Sequence, residues 1–244
     1  MTIEAEKLME RRHGIALWRQ IADQIRLAIG TGEFVEKLPP EMALAERFGV
    51  NRHTVRGAIA ALVQEGVLRA EQGRGTFVEN RKRFAYPIGV RTRFSEGLKD
   101  QARERRGSLL GHSVEAADAR IGAALGLDVG TPVLRLETLS EADGRPVSRA
   151  TSFFDAARFD GLEKAYAASG SITAAFRDFG VSDYFRRSTN VSARHATASD
   201  LADLRLSPGA IVLVTTYVNV DLDEAPVQYS ETRFAADRVE LSVA

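Results

Sequence analysis

Two arginines one helical turn apart, Arg52 and Arg56, stand in the run Asn51-Arg52-His53-Thr54-Val55-Arg56. On a helix this spacing puts both guanidinium groups on one face, where each can reach a guanine edge or a phosphate. Asn51 and Thr54 can add hydrogen bonds to phosphate or base, and His53 falls on the adjacent exposed side. A second basic element, Gly73-Arg74-Gly75, lies between two short β-prone runs. Its glycines let backbone approach a duplex closely and leave Arg74 free to enter a minor groove. The charge pattern agrees. Between Arg47 and Arg83 eight bases stand against three acids, a net of +5, in a 244-residue chain whose total is zero. Such asymmetry marks one anion-binding part and one part with another job.

Other chemistries find little support. There is no G-x-S-x-G elbow, no P-loop and no H-E-x-x-H, and the four histidines are scattered without ligand spacing. No enzyme activity, metal or cofactor is expected. Cysteine is absent, which excludes disulfides and thiolate chemistry and fits a reducing, cytoplasmic setting. Met1–Lys7 carries acids where an export signal carries bases and an apolar run. The longest uncharged stretch, Leu206–Val220, is too short to span a bilayer.

The elements that must position the arginines follow from periodicity. Leu17, Trp18, Ile21, Ile25, Ala28 and Ile29 recur at helical spacing and end at Gly30 and Gly32. Leu38-Pro39-Pro40 opens a second short helix that stops at Gly49. Asn51 is a good N-cap for a third, with Val55, Ala58, Ile59, Leu62 and Val63 facing inward. Val67-Leu68-Arg69 and Thr76-Phe77-Val78 then read as a hairpin with a glycine-rich tip. Three helices and a small hairpin are the plan of a winged helix-turn-helix, placed at residues 12–79. Residues 80–87, with Arg81-Lys82-Arg83 and Pro87, read as a linker to a second domain at 88–244.

That second domain carries an internal duplication. Leu127, Gly130, Val133 and Leu134 recur as Leu206, Gly209, Val212 and Leu213, and Pro146, Val147 and Phe154 recur 80 residues later as Pro226, Val227 and Phe234. Each copy reads as helix end, turn, long strand, turn and Pro-led strand. Two such hairpins predict one antiparallel sheet with helices on one side, an α+β domain, and Leu162–Phe179 is the main helical insertion.

The quoted motifs also carry a resemblance. Leu38-Pro39-Pro40-Glu41, Leu44-Ala45, Phe48 through Arg56 and Gln72 through Val78 resemble the DNA-binding domain of GntR-type bacterial transcription regulators. The rest is similar to the UTRA effector domain of the HutC branch, whose fold is like that of chorismate lyase. Asn51-Arg52-His53-Thr54, Arg93-Phe94-Ser95, Arg186-Arg187 and Ser192-Ala193-Arg194 further resemble the phosphonate-utilisation regulators of that branch. The resemblance implies DNA contacts at Arg52, Thr54, Arg56 and Gly73, with Arg74 added. Met42 stands where many members carry a DNA-contacting arginine, a departure expected to alter site preference rather than abolish binding.

In the second domain the expected ligand is a small anion. Ser95 is an N-cap for a helical stretch at Gly97–Arg105, whose free N–H groups would take an anion reinforced by Arg93. The resemblance implies the same helix start. Thr138 and Ser140 share one face of the strand Val133–Ser140. Their hydroxyls stand where sugar-phosphate-responsive relatives hold an arginine pair, so the charge must come from Arg93, Arg149, Arg186 or Arg187. Gln228, Tyr229 and Glu231 are expected to close the pocket, with Glu231 suited to an ammonium. The expected function is an effector-responsive repressor, implied to control phosphonate genes, that binds a palindromic duplex operator as a homodimer and contacts no membrane. The alternatives are a second domain that only dimerises, and control of another catabolic pathway such as amino-sugar use.

Overall fold

A computed structural model describes residues 16–79, 83–89, 101–206 and 208–243. The chain divides into two compact units, Met1–Lys82 and Arg83–Ala244. None of the described helices is long and apolar enough to cross a membrane.

The first unit orders α1 (Leu17–Gly30), α2 (Glu41–Phe48), α3 (Arg52–Gln64), β1 (Leu68–Glu71) and β2 (Gly75–Val78). Ile21 and Ile25 of α1, Leu44 of α2, and Val55, Ala58 and Leu62 of α3 are fully shielded from solvent in one core. Burying each of the larger side chains contributes about 1.5–3 kcal/mol. Gly49 ends α2 in the left-handed conformation, with φ at 62°, which a residue bearing Cβ adopts only with strain. Asn51 then starts α3 by accepting the Thr54 N–H on its side chain at 2.8 Å. The strands β1 and β2 pair antiparallel. The segment before α2 joins them, through Leu38 N–H to the Thr76 carbonyl and Val78 N–H to the Glu36 carbonyl, both at 2.8 Å.

The second unit is built on a six-stranded antiparallel sheet in the order β4-β5-β6-β9-β8-β7. Its strands are β4 (Arg105–Ala116), β5 (Pro132–Ala142), β6 (Arg145–Asp155), β7 (Phe185–His195), β8 (Ile211–Val220) and β9 (Pro226–Ala235). The duplication is visible as two β-α-β-β units, with α4 (Ala119–Leu125) in the first and α7 (Ala198–Asp203) in the second. Thr151 of β6 pairs with Glu231 of β9, residues related by the 80-residue offset. The local two-fold axis therefore passes between them.

Helices cover both faces of this sheet, where one covered face was expected. The helices α4 and α7 pack against Val133, Phe153, Val212 and Val214. The inserted pair, α5 (Leu162–Ser169) and α6 (Ile172–Arg177), covers the opposite face at Leu134, Leu136 and Phe154. The reason lies in β5, where Val133 and Leu134 are adjacent and both buried. A strand with apolar residues on both faces needs cover on both.

Two further expectations are corrected. The linker was expected to run to Pro87, but Phe84–Ile88 forms β3, which pairs parallel with β10 (Val239–Val243). Tyr86 and Ile88 bury against Val147, Phe234 and Val239, and that apolar contact holds the segment in place. The helical stretch expected at Gly97–Arg105 does not include its last residues. Residues 101–104 are non-helical and Arg105 begins β4, because its backbone is taken up in the ladder with Ala142.

Candidate DNA-reading surface and effector cavity

At the start of α3 the Asn51 cap is doubly engaged, since its side-chain oxygen also accepts from the Thr54 hydroxyl at 3.0 Å. Asn51 and Thr54 thus brace the helix end that carries the arginines. Arg52 and Arg56 are half-exposed, and both turn to Glu41, the first residue of α2. Arg52 Nε donates to Glu41 Oε2 at 2.6 Å. Arg56 donates side-on, Nε to Oε1 at 3.2 Å and Nη2 to Oε2 at 2.9 Å. Hydrogen bonds from Arg56 and Arg52 bring the Glu41 carboxyl down to about 2. His53 is exposed, and Met42 is 63% exposed next to Glu41.

The hairpin tip holds Gly73 at φ 73° and Gly75 at φ 111°. Arg74 is 75% exposed in its side chain and is tethered by Nη1 to Glu71 at 2.6 Å. The Phe77 ring gathers three cations, with Lys37 and Arg69 at 5.3 Å and Arg74 at 5.9 Å from its centroid. No sequence pattern marks Lys37 for this surface, Arg69 enters only through the charge count and the β1 run, and Glu41 only as part of a motif. An acidic residue in a basic segment gives no signal of which cations it will meet.

On the sheet face covered by α5 and α6 lies a cavity of about 670 Å³. Four of the expected effector residues line it: Thr138, Ser140, Arg186 and Gln228. Arg105 and Arg106 join Arg186, and among the described lining residues there is no carboxylate. Arg186 lies 3.6 Å from the centroid of the Tyr217 ring and hydrogen-bonds Tyr86, whose hydroxyl burial pushes up against that cation's opposing pull. Burial likewise raises the Tyr166 hydroxyl to about 12, opposed by its bond to Thr138. A buried relay runs from Asn219 Nδ2 to Gln228 Oε1 at 2.8 Å, and from Gln228 Nε2 to Ser152 Oγ at 3.0 Å. The cavity wall is tight where β4 meets the α5–α6 connection, since a Cβ on Gly107 would lie 2.0 Å from the Gly170 carbonyl oxygen.

Three expected residues do not reach this cavity. Arg149, Tyr229 and Glu231 occupy the alternate positions of β6 and β9 and face the other side of the sheet. There Arg149 meets Glu137 at 3.3 Å and Asp203 at 3.0 Å. The Tyr229 hydroxyl accepts from Arg120 at 2.9 Å and its ring stacks on Phe153. Glu231 pairs with Arg233 at 3.2 Å, and Arg233 also donates to the Thr151 hydroxyl at 2.8 Å. The grouping of Gln228, Tyr229 and Glu231 in one pocket is therefore corrected, because successive strand residues point to opposite faces. The expected anion site at Arg93, Phe94 and Ser95 lies outside the described residues. Tyr86, Tyr217 and Asn219 were missed because no local spacing links β3 to β8.

Residues 17–78 match the gntR family of bacterial regulatory proteins, and residues 100–240 match the UTRA domain. The chain belongs to the gntR regulators. It is 55% identical over 239 residues to an uncharacterised HTH-type transcriptional regulator of Rhizobium meliloti, covering 97% of this chain and 98% of that one. It is 32% identical to the probable transcriptional regulator PhnF of Escherichia coli, over 84% and 85% of the two chains. The crystal structure of PhnF from Mycobacterium smegmatis superposes with a TM-score of 0.61 at 25% identity, over 92% of this chain and 98% of that one. The regulator is thus a DNA-binding unit joined to a domain of the small-molecule-binding UTRA class. Its family is one of transcription regulators, not enzymes.

Proposed function

We propose that this regulator represses genes of phosphonate uptake or metabolism, binds a palindromic operator as a homodimer, and releases it when a small anion enters the UTRA cavity. The observation that carries the effector class is the set of three arginines, Arg105, Arg106 and Arg186, around a cavity rich in hydroxyls. Guanidinium groups and hydroxyls supply the donors that phosphonate or phosphate oxygens accept. The phosphonate assignment draws on the motif resemblance at Asn51–Thr54 and Arg186-Arg187 and on the relatives named PhnF. One of these, from Mycolicibacterium smegmatis, is described as a transcriptional repressor.

Duplex DNA is read by Arg52, Arg56 and the wing at Gly73-Arg74, with Asn51, His53 and Thr54 beside them. Two-fold pairing of half-sites supplies the base contacts that a single winged module lacks. The test is thermal melting against phosphonates, inorganic phosphate and sugar phosphates. A specific ligand at 100 times its dissociation constant stabilises by about 2.7 kcal/mol. A panel in which phosphonates and phosphate shift nothing and a neutral sugar does would overturn the anionic assignment.

A further inference from the structure

A carboxylate sits in the middle of the basic DNA-reading surface. Glu41 lies between Arg52 and Arg56, and it takes the Nε side of both guanidinium groups. Among the described residues the Nη1 and Nη2 groups of Arg52 and the Nη1 group of Arg56 carry no protein partner. A guanine is read by two N–H donors aimed at O6 and N7, and the distal edge of an arginine provides such a pair. A carboxylate acting only as a competitor of DNA would hold that distal edge. Glu41 instead grips the flank of each arginine.

We propose that Glu41 is a positioning residue for DNA recognition, which orients Arg52 and Arg56 with their distal edges outward and offsets one of their two charges. The proposal rests on the reading of α3 as the DNA-contacting helix. Two consequences follow from elementary physics. An arginine already ordered loses less side-chain entropy when it docks on a base. A trio of net charge +1 attracts phosphates less than a bare pair of arginines, which weakens sequence-independent binding. Together they raise discrimination between operator and random DNA. The carboxyl is held near 2 by its arginine partners, so the clamp remains charged throughout the neutral range.

The test uses the full chain and two duplexes of equal length, one enriched from a random pool by the wild-type protein and one of scrambled sequence. Glu41→Gln removes the charge. It is expected to bind the scrambled duplex more tightly, to steepen the salt dependence by about one unit of slope, and to lower the operator-to-scrambled affinity ratio about tenfold. Glu41→Asp keeps the charge on a shorter arm that cannot span both arginines. It is expected to lose the ratio while keeping the wild-type salt slope. Equal gains on both duplexes for Glu41→Gln would make Glu41 a competitor and overturn the proposal. So would a Glu41→Asp protein with the wild-type ratio. Melting curves check that each variant is folded, and Glu41→Asp carries the test if Glu41→Gln is not. Arg52→Ala and Arg56→Ala separate the underlying reading: if both bind operator as the wild type does, α3 is not the reader and the proposal falls with it.

Discussion

A side chain on the proposed DNA-reading surface is defined by what it touches within the protein. Arg52 and Arg56 are about half exposed, so replacing either leaves the core of α1, α2 and α3 intact. Arg52→Ala or Arg56→Ala is expected to cost about 1–3 kcal/mol in operator affinity, with relaxed sequence preference and only the small drop in melting temperature that losing one exposed ion pair to Glu41 brings. Gel-shift titration of operator and scrambled duplexes checks this. The pH dependence of the same contact follows from Glu41. Its carboxyl lies near 2 when folded, against an ordinary 4.5. A depressed acid contributes stability that is present above its unfolded value and is lost as pH falls through the folded one. The Arg52–Glu41–Arg56 contact should therefore be intact at pH 6 and dissolve between about pH 4.5 and pH 2, a transition that carboxyl NMR titration would read directly. In the cavity, Arg186→Met is expected to raise the effector concentration needed for operator release while leaving affinity for operator alone unchanged.

Among the secondary-structure elements, strand alternation decides which residues can serve one site. The strands β5, β6 and β9 send Thr138, Ser148 and Gln228 to the cavity and Glu137, Arg149 and Arg233 to the opposite face. On that opposite face Arg233 is 7% exposed in its side chain and lies within 3.6 Å of Asp200 and 3.5 Å of Glu137. Arg233→Ala removes one cation from a network in which Glu137 keeps Arg149 and Asp200 keeps Arg194. It is expected to destabilise the second unit by about 1–3 kcal/mol, measured by denaturant melting, although it touches no cavity residue. A milder prediction concerns the contact between β4 and the α5–α6 connection. Gly107→Ala must displace the Gly170 carbonyl, so it should alter effector response more than operator affinity.

For the whole molecule, the two compact units have separate cores, and each should respond to its own perturbations. A fragment 83–244 is expected to fold and to be dimeric in sedimentation at micromolar concentration, whereas fragment 1–80 should be monomeric and bind DNA weakly. A monomeric 83–244 fragment would overturn the assignment of dimerisation to the UTRA unit. The starting point of such a fragment matters. A version beginning at residue 89 lacks β3 and leaves Val147, Phe234 and Val239 without Tyr86 and Ile88. It is expected to melt below the fragment that begins at residue 83.

Local spacing in the sequence was enough to place the winged helix-turn-helix, its capped third helix and the duplicated hairpins. Caps, glycine stops and period-3.6 or period-2 patterns act over a few residues, and for that reason they can be read without a structure. The same rules put Thr138 and Ser140 together on the cavity wall. They would also have separated Gln228 from Tyr229 and Glu231, since alternation along β9 is local, but they do not say which face holds the cavity. Only tertiary packing decided that. The α5–α6 insertion closes one face, the α4 and α7 helices fill the other, and β3 joins the second unit through contacts with residues far along the chain. The meeting of Glu41 with Arg52 and Arg56, and of Tyr86 with Arg186 and Tyr217, has the same character. Such contacts depend on distances between elements, which no spacing along a single element encodes.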